Sequence, residues 1–270
     1  MLPRSTMLVM THAALATVEE LFEYKAQGFE LPPFAGYTAD QWGVKAHNRP
    51  WIAAVGAWEN GQRVIEVGGA YSRLPEWLGD QHEVEPWVGD DFGLAAGERE
   101  QWSRWGDPHE LPGQHPSVTY VFKPFGAFSP QYPDRHFDRI FSVSTLEHIS
   151  PHARLDVLRD INRCTAPGGR QLHTIDVPTA LWKALAAGAA ERAGLRRLLA
   201  QRYPNGIAGW LDLFRRSGVK IATRPPSSLR LLDRQTLVES PDVWFRFYPP
   251  AEQPKAYAPT ASLLVVIEDR

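Results

Sequence analysis

Apolar positions along the chain alternate between short continuous runs and longer stretches of helical spacing. Arg63 to Val67 is a run ending in Gly68-Gly69, which predicts a buried parallel strand entering a tight turn. Leu74 to Leu78 suits a short helix, and Val84 to Val88 a second strand despite Pro86. Val118 to Phe122, Phe137 to Ser144 and Gln171 to Val177 predict three more strands. Between the last two, Leu155, Leu158 and Ile161 share one helical face; Pro151 opens that helix and Pro167-Gly168-Gly169 closes it. Strands alternating with helices indicate an α/β sheet.

The flanks read differently. Thr11 can cap a helix running through Ala14, Val18, Leu21 and Phe22, ended by Leu31-Pro32-Pro33. Pro50 suits the first turn of a second helix, stopped by Gly61. Residues 94–116, with Trp102 and Trp105, read as helix or loop. Residues 178–235 are helical and rich in Ala, Arg and Leu, and a final strand pair is expected at Val243–Tyr248 and Ser262–Ile267. The expected organisation is an N-terminal helical extension over 1–60 and a main domain over 61–270, with the helical insertion inside it.

Composition adds boundaries. The 43% hydrophobic and 22% charged residues are ordinary for a chain with a packed core. A net charge of -2 gives no basic excess for nucleic-acid phosphates, and the arginines at 192, 196, 197, 202, 215 and 216 read as a solvated helix face. One cysteine, Cys164, excludes an intramolecular disulfide and fits a reducing, cytoplasmic setting. No apolar stretch is long enough to span a membrane, and the N-terminus makes a poor signal peptide. The expected partner is a small-molecule substrate, with no nucleic acid and no membrane; a homodimer is left open.

Two constellations carry chemistry. Glu66-Val67-Gly68-Gly69-Ala70-Tyr71-Ser72 follows a strand, and ligands of open α/β sheets sit at carboxyl strand ends. An acid about 20 residues further on can bind ribose hydroxyls, and Asp90 stands there. Residues 137–149 (FDRIFSVSTLEHI) and 158–172 (LRDINRCTAPGGRQL) form the second constellation. Of the titratable groups, His148 is the first candidate for a general base, since histidine titrates near neutral pH. Asp176 sits near a strand's carboxyl end, and with Glu147 and His148 provides ligand types suited to a hard cation. His173 and Cys164 read as core residues.

These two stretches resemble the fourth- and fifth-strand motifs of class I S-adenosylmethionine-dependent methyltransferases. RVIEVGGAYS (63–72) resembles that family's first motif and VGDDFG (88–93) its second. The resemblance implies a Rossmann-like, mostly parallel seven-stranded sheet with an antiparallel last strand, and S-adenosylmethionine as cofactor. It further implies that Glu66 organises the first loop and the methionine amino group, and that Gly68 and Gly69 face the methionyl part. Asp90, or Asp91 if the strand end shifts by one, would bind the ribose. Phe125 and Gly126 would flank the adenine, and Ser144 and Leu146 would line the cofactor side. Glu147 and His148 would face the acceptor, for which a small-molecule hydroxyl is expected. One departure is Ala70-Tyr71 where the family has a third small glycine; alanine is tolerable there if its φ is negative, and Tyr71 can narrow the cleft. That departure motivates an alternative, a non-catalytic binding or assembly module on the same fold. A nicotinamide-dependent oxidoreductase would prefer a GxGxxG turn, which is absent.

Overall fold

The structure is a computed structural model and describes residues 9–28, 43–93, 106–221, 225–239 and 259–269. Its sheet has seven strands: β1 (Val9–Leu15), β2 (Arg63–Val67), β3 (Glu85–Gly89), β4 (Thr119–Val121), β5 (Phe137–Val143), β6 (Thr165–Pro178) and β7 (Thr260–Asp269). They lie in the order β1-β7-β6-β5-β2-β3-β4. Strands β2 to β6 run parallel; β7 is antiparallel to β6, and β1 antiparallel to β7. The order reverses at β2, whose neighbours are β3 and β5. Such a switch point opens a crevice at the carboxyl strand tips. This is the Rossmann-like sheet with an antiparallel last strand that the motifs imply.

Successive residues of a strand point to opposite faces, and two cores follow from that. Val64 and Phe141 pack on one face with α1 (Val18–Gln27), α2 (Val44–Val55) and α3 (Leu74–His82), through Leu21, Ile52 and Leu74. Ile65 and Ile140 pack on the other with α5 (Arg154–Cys164) and α8 (Ile207–Arg216), through Leu158, Ile161 and Trp210. Between these two helices, the insertion carries α6 (Leu181–Arg192) and α7 (Arg196–Arg202); a short α4 (Leu111–Gln114) precedes β4. Cys164 is fully buried, and burial pushes its thiol up to about 12. His173 is fully buried and bonded to Ser142, as a core residue would be.

The N-terminal region departs from expectation. Residues 9–15 form an edge strand, not the start of a helix, because they pair along their whole length with β7. The helix begins later, where Thr17 and Glu20 form a reciprocal capping box. Pro50 sits inside α2, which already starts at Val44 and ends at Gly56 rather than Gly61. An interior proline costs about 3 kcal/mol; burial of Trp51, Ile52 and Ala53 works against that cost. Both edges of β7 are occupied by β6 and β1. The expected strand 243–248 and most of 94–116 lie outside the described residues, as does the Leu31-Pro32-Pro33 stop. The helix expected from Pro151 starts at Arg154 and ends at Cys164, so Pro167-Gly168-Gly169 lies within β6.

Candidate active site

The crevice at the β2 tip has two sides. On the first, Gly68 N–H donates to Gly89 O at 2.8 Å, tying the β2 tip to the β3 tip. Asp90 then accepts from Ala70 N–H at 2.8 Å and from Phe92 N–H at 2.6 Å, so its carboxylate organises the loop. Burial raises the Asp90 carboxyl to about 6 against those two donors. Gly68 and Asp90 therefore meet at one place, as a shared ligand site requires. Asp91 is half-buried beside them and accepts from Gly93 N–H at 3.2 Å.

Glu66 is buried at the end of β2, and its Oε2 has no hydrogen-bond partner. Burial pushes it up to about 7, with the Arg49 guanidinium pulling the other way. Arg49, from α2, donates to Ser72 Oγ at 3.1 Å. Glu66 supplies an unfilled buried acceptor and Arg49 a buried cation. The pair fits the zwitterionic end of an amino acid, and so fits the methionyl part of S-adenosylmethionine. Arg49 was not among the residues expected, because α2 lies outside the motif region; Ser72 ends the first motif but was given no role there.

Gly68 has φ +68°, and a Cβ there would fall 2.0 Å from Thr145 Cγ2. A Cβ on Gly69 would fall 3.1 Å from Glu66 Cγ. Close approach of Thr145 and the positive φ thus demand glycine at 68, while at 69 a Cβ would be tight against Glu66. Ala70 corrects an expectation: its φ is +43°, in the left-handed region, which costs an L-residue roughly 1–2 kcal/mol. Tyr71 donates its hydroxyl to Gly106 O at 2.7 Å and sets its ring edge-on to Phe92. With Ala70, Phe92, Leu111, Tyr120 and Phe122 it forms a small apolar cluster.

The second side of the crevice lies at the tips of β5 and β6. Thr145 Oγ1 donates to Gly68 O at 3.2 Å and joins the two sides. Lys45 Nζ donates to Asp176 Oδ2 at 2.7 Å. Ser144 Oγ donates to Asp176 Oδ1 at 3.0 Å and accepts from Asn48 Nδ2 at 3.0 Å. Ser144 is held at φ +48°, a conformation that serine rarely adopts. Glu147 Oε1 accepts from Asp176 N–H at 3.2 Å, while its Oε2 is buried and unpartnered. Burial, aided by the Asp176 charge, raises the Glu147 carboxyl to about 8; Lys45 opposes the rise. His148 stands at the solvent edge, held below its usual pKa by the surrounding protein and then by the Lys45 charge.

The structure therefore brings Glu147, His148, Asp176 and Ser144 together, and adds Lys45 and Asn48 from α2. Ser144 is bonded to Asp176 and Asn48 on this side. Leu146 is buried in the core. Phe125 stacks on Tyr132 at 4.1 Å, and Gly126 donates to Asp160 at 2.8 Å, so both have packing roles. Lys45 engages the Asp176 carboxylate, and among the described residues no group of three His, Cys, Asp or Glu is arranged for a metal ion. Arg154 fixes the Glu147 turn: it donates to Glu147 O at 2.7 Å and Ile149 O at 2.8 Å, reaches Asn205 at 2.6 Å, and lies over the Trp210 ring.

Residues 109–172 match the family model described as a methyltransferase domain. No curated protein sequence matches the chain. Among solved structures, a protein assigned as a methyltransferase and bound to the Haloferax volcanii Trm112 activator is 13% identical, with 95% of this chain and 99% of that one covered at a TM-score of 0.45. The YcgJ protein of Bacillus subtilis is 14% identical, covering 83% and 98% at 0.45. Phosphoethanolamine N-methyltransferase 2 of Haemonchus contortus, in complex with S-adenosyl-L-methionine, is 12% identical, covering 81% and 51% at 0.47. The strand order is the one the four motifs imply, and the methyltransferase-domain match runs from just before β4 into β6. Among the described residues, no helix is long and apolar enough to cross a membrane.

Proposed function

We propose that the protein transfers a methyl group from S-adenosylmethionine to a hydroxyl of a small-molecule acceptor, with Glu147 taking the acceptor's proton. The observation that carries this reading is the buried, unpartnered Glu147 Oε2 at the β5 tip, one bridging side chain away from the Gly68 loop. When bound, the cofactor supplies an activated methyl group on a sulfonium. Glu66 and Arg49 hold its amino-acid end. Asp90 keeps the loop shaped, and we assign the ribose to Asp91 beside it. Much of the rate then comes from positioning, about 7–11 kcal/mol in favourable systems.

An attacking hydroxyl must also lose its proton, and a base works best when its pKa lies near the working pH. Glu147, raised to about 8, meets that condition. The base role thus moves from His148 to Glu147, and His148 stands at the solvent edge of the site. Lys45 and Asn48 hold Asp176 and Ser144 as the floor of the acceptor site. Titration calorimetry with S-adenosylmethionine tests the reading, followed by a search for methylated product among hydroxylated small molecules. Absence of any heat of binding would defeat it.

One observation favours the second reading, a methyltransferase-like module without turnover. Both Asp90 oxygens already accept loop N–H groups, beside a strained Ala70. Tight cofactor binding with methyl groups retained against every acceptor class would select that reading.

A further inference from the structure

The helical insertion is built inside out. Helix α6 turns its small residues inward: Ala184 is 3% exposed, and a Cβ on Gly188 would fall 2.3 Å from Leu229 Cγ. Its large apolar residues face solvent, with Leu181 and Trp182 each 63% exposed and Leu185 50%. The next helix repeats the arrangement. Leu199 and Ala200 are buried in α7, while Leu195 and Leu198 are exposed. These five account for most of the large apolar side chains that are exposed among the described residues. Burying apolar surface is the main favourable term of folding, so a helix pair that leaves leucines and a tryptophan in water has a use for them elsewhere.

Charge identifies the occupant. Between 181 and 202 the cations are Lys183, Arg192, Arg196, Arg197 and Arg202, and the only acid is Glu191. Glu191 is occupied internally, accepting from Ser227 Oγ at 2.7 Å and Ser228 Oγ at 2.6 Å. Outward leucine and tryptophan can meet acyl chains while the neighbouring arginines and lysine meet anionic headgroups. Lys183 Nζ lies 5.4 Å from the Trp182 ring, so a cation and an interfacial aromatic already sit side by side. A second copy of the chain is disfavoured here, because a two-fold contact would set this cationic face against itself.

We propose that α6 and α7 form a peripheral docking surface for anionic lipid membranes. The surface lies on the membrane rather than across it, and it revises the expectation that no membrane partner exists. It does not depend on the chemistry at the strand tips.

The test is co-sedimentation of the full chain with vesicles of phosphatidylcholine, with and without about 30 mol% phosphatidylglycerol. The expected result is partitioning about tenfold stronger onto the anionic vesicles, weakened by about 0.5 M sodium chloride. Leu185→Asp with Leu198→Asp should remove it with unchanged circular dichroism. Arg197→Gln with Arg202→Gln keeps every apolar side chain and should weaken binding on its own, so the proposal stays testable if the first variant misfolds. Equal partitioning onto both vesicles, or wild-type partitioning by the charge variant, overturns the proposal. So does a concentration-dependent dimer that Leu185→Asp dissolves, since a second copy would then own the face.

Discussion

The two sides of the crevice are built from different materials. At the tips of β2 and β3, backbone does most of the work: two glycines and a loop held by Asp90, joined from outside by Arg49 and Thr145. At the tips of β5 and β6, side chains do it, and they come from far apart; Lys45 and Asp176 are separated by 131 positions. The first side leaves one buried acceptor atom on Glu66, the second one on Glu147. A buried acceptor without a partner is costly, and both atoms sit where a ligand would supply what is missing. The difference teaches that the first side is shaped mainly by local sequence, with Arg49 reaching in from α2, while the second is assembled by the tertiary fold.

Glu147→Gln should break this comparison most sharply. We expect turnover to fall by about 10²- to 10⁴-fold, with the calorimetric affinity for S-adenosylmethionine within about threefold of wild type. Loss of both together would merge the two sides into one. Glu66→Gln is the mirror experiment: cofactor affinity should drop by about 10- to 100-fold, as expected for losing a charge-assisted hydrogen bond.

A pH scan of the cofactor-free protein sharpens the comparison further. The Glu66 and Glu147 carboxyls rise from 4.5 to about 7 and about 8. A raised carboxyl favours the folded state while protonated, so its contribution is complete below the unfolded value and is lost as pH climbs through the folded one. The melting temperature should therefore fall from weakly acidic to weakly alkaline pH. Both contributions begin near pH 4.5, so Glu66→Gln should make the fall shallower up to about pH 7, and Glu147→Gln should make it shallower throughout and remove the stretch between about 7 and 8; a slope unchanged in both variants would refute the assignment. The smallest effect is expected at Ala70→Gly, where release of the positive φ should stabilise by about 0.5–1 kcal/mol in chemical denaturation. A destabilised variant would show that the Ala70 methyl packs more usefully than the strain suggests.

Legibility in the sequence follows the same division. The strands β2 to β6 and the residues at their tips could be read because continuous apolar runs and glycine turns are local signals. Residues 9–15 could not, since only their pairing with β7, some 250 positions away, makes them a strand. The capping box at Thr17 and Glu20 was a local signal that pointed to the correct helix start. The motif position of Ser144 gave no sign of its left-handed backbone or of its bond to Asp176, 32 positions away. Lys45, Asn48 and Arg49 carry no motif at all; they matter only because α2 lies across the sheet tips.

That one helix reaches both sides has its own consequence. Within five residues, α2 sends Lys45 to Asp176, Asn48 to Ser144 and Arg49 to Ser72. A rigid rod touching two occupants cannot be shifted by one without altering its hold on the other. Donor and recipient should accordingly bind with linked affinities, and by thermodynamic reciprocity the factor by which each changes the other is the same.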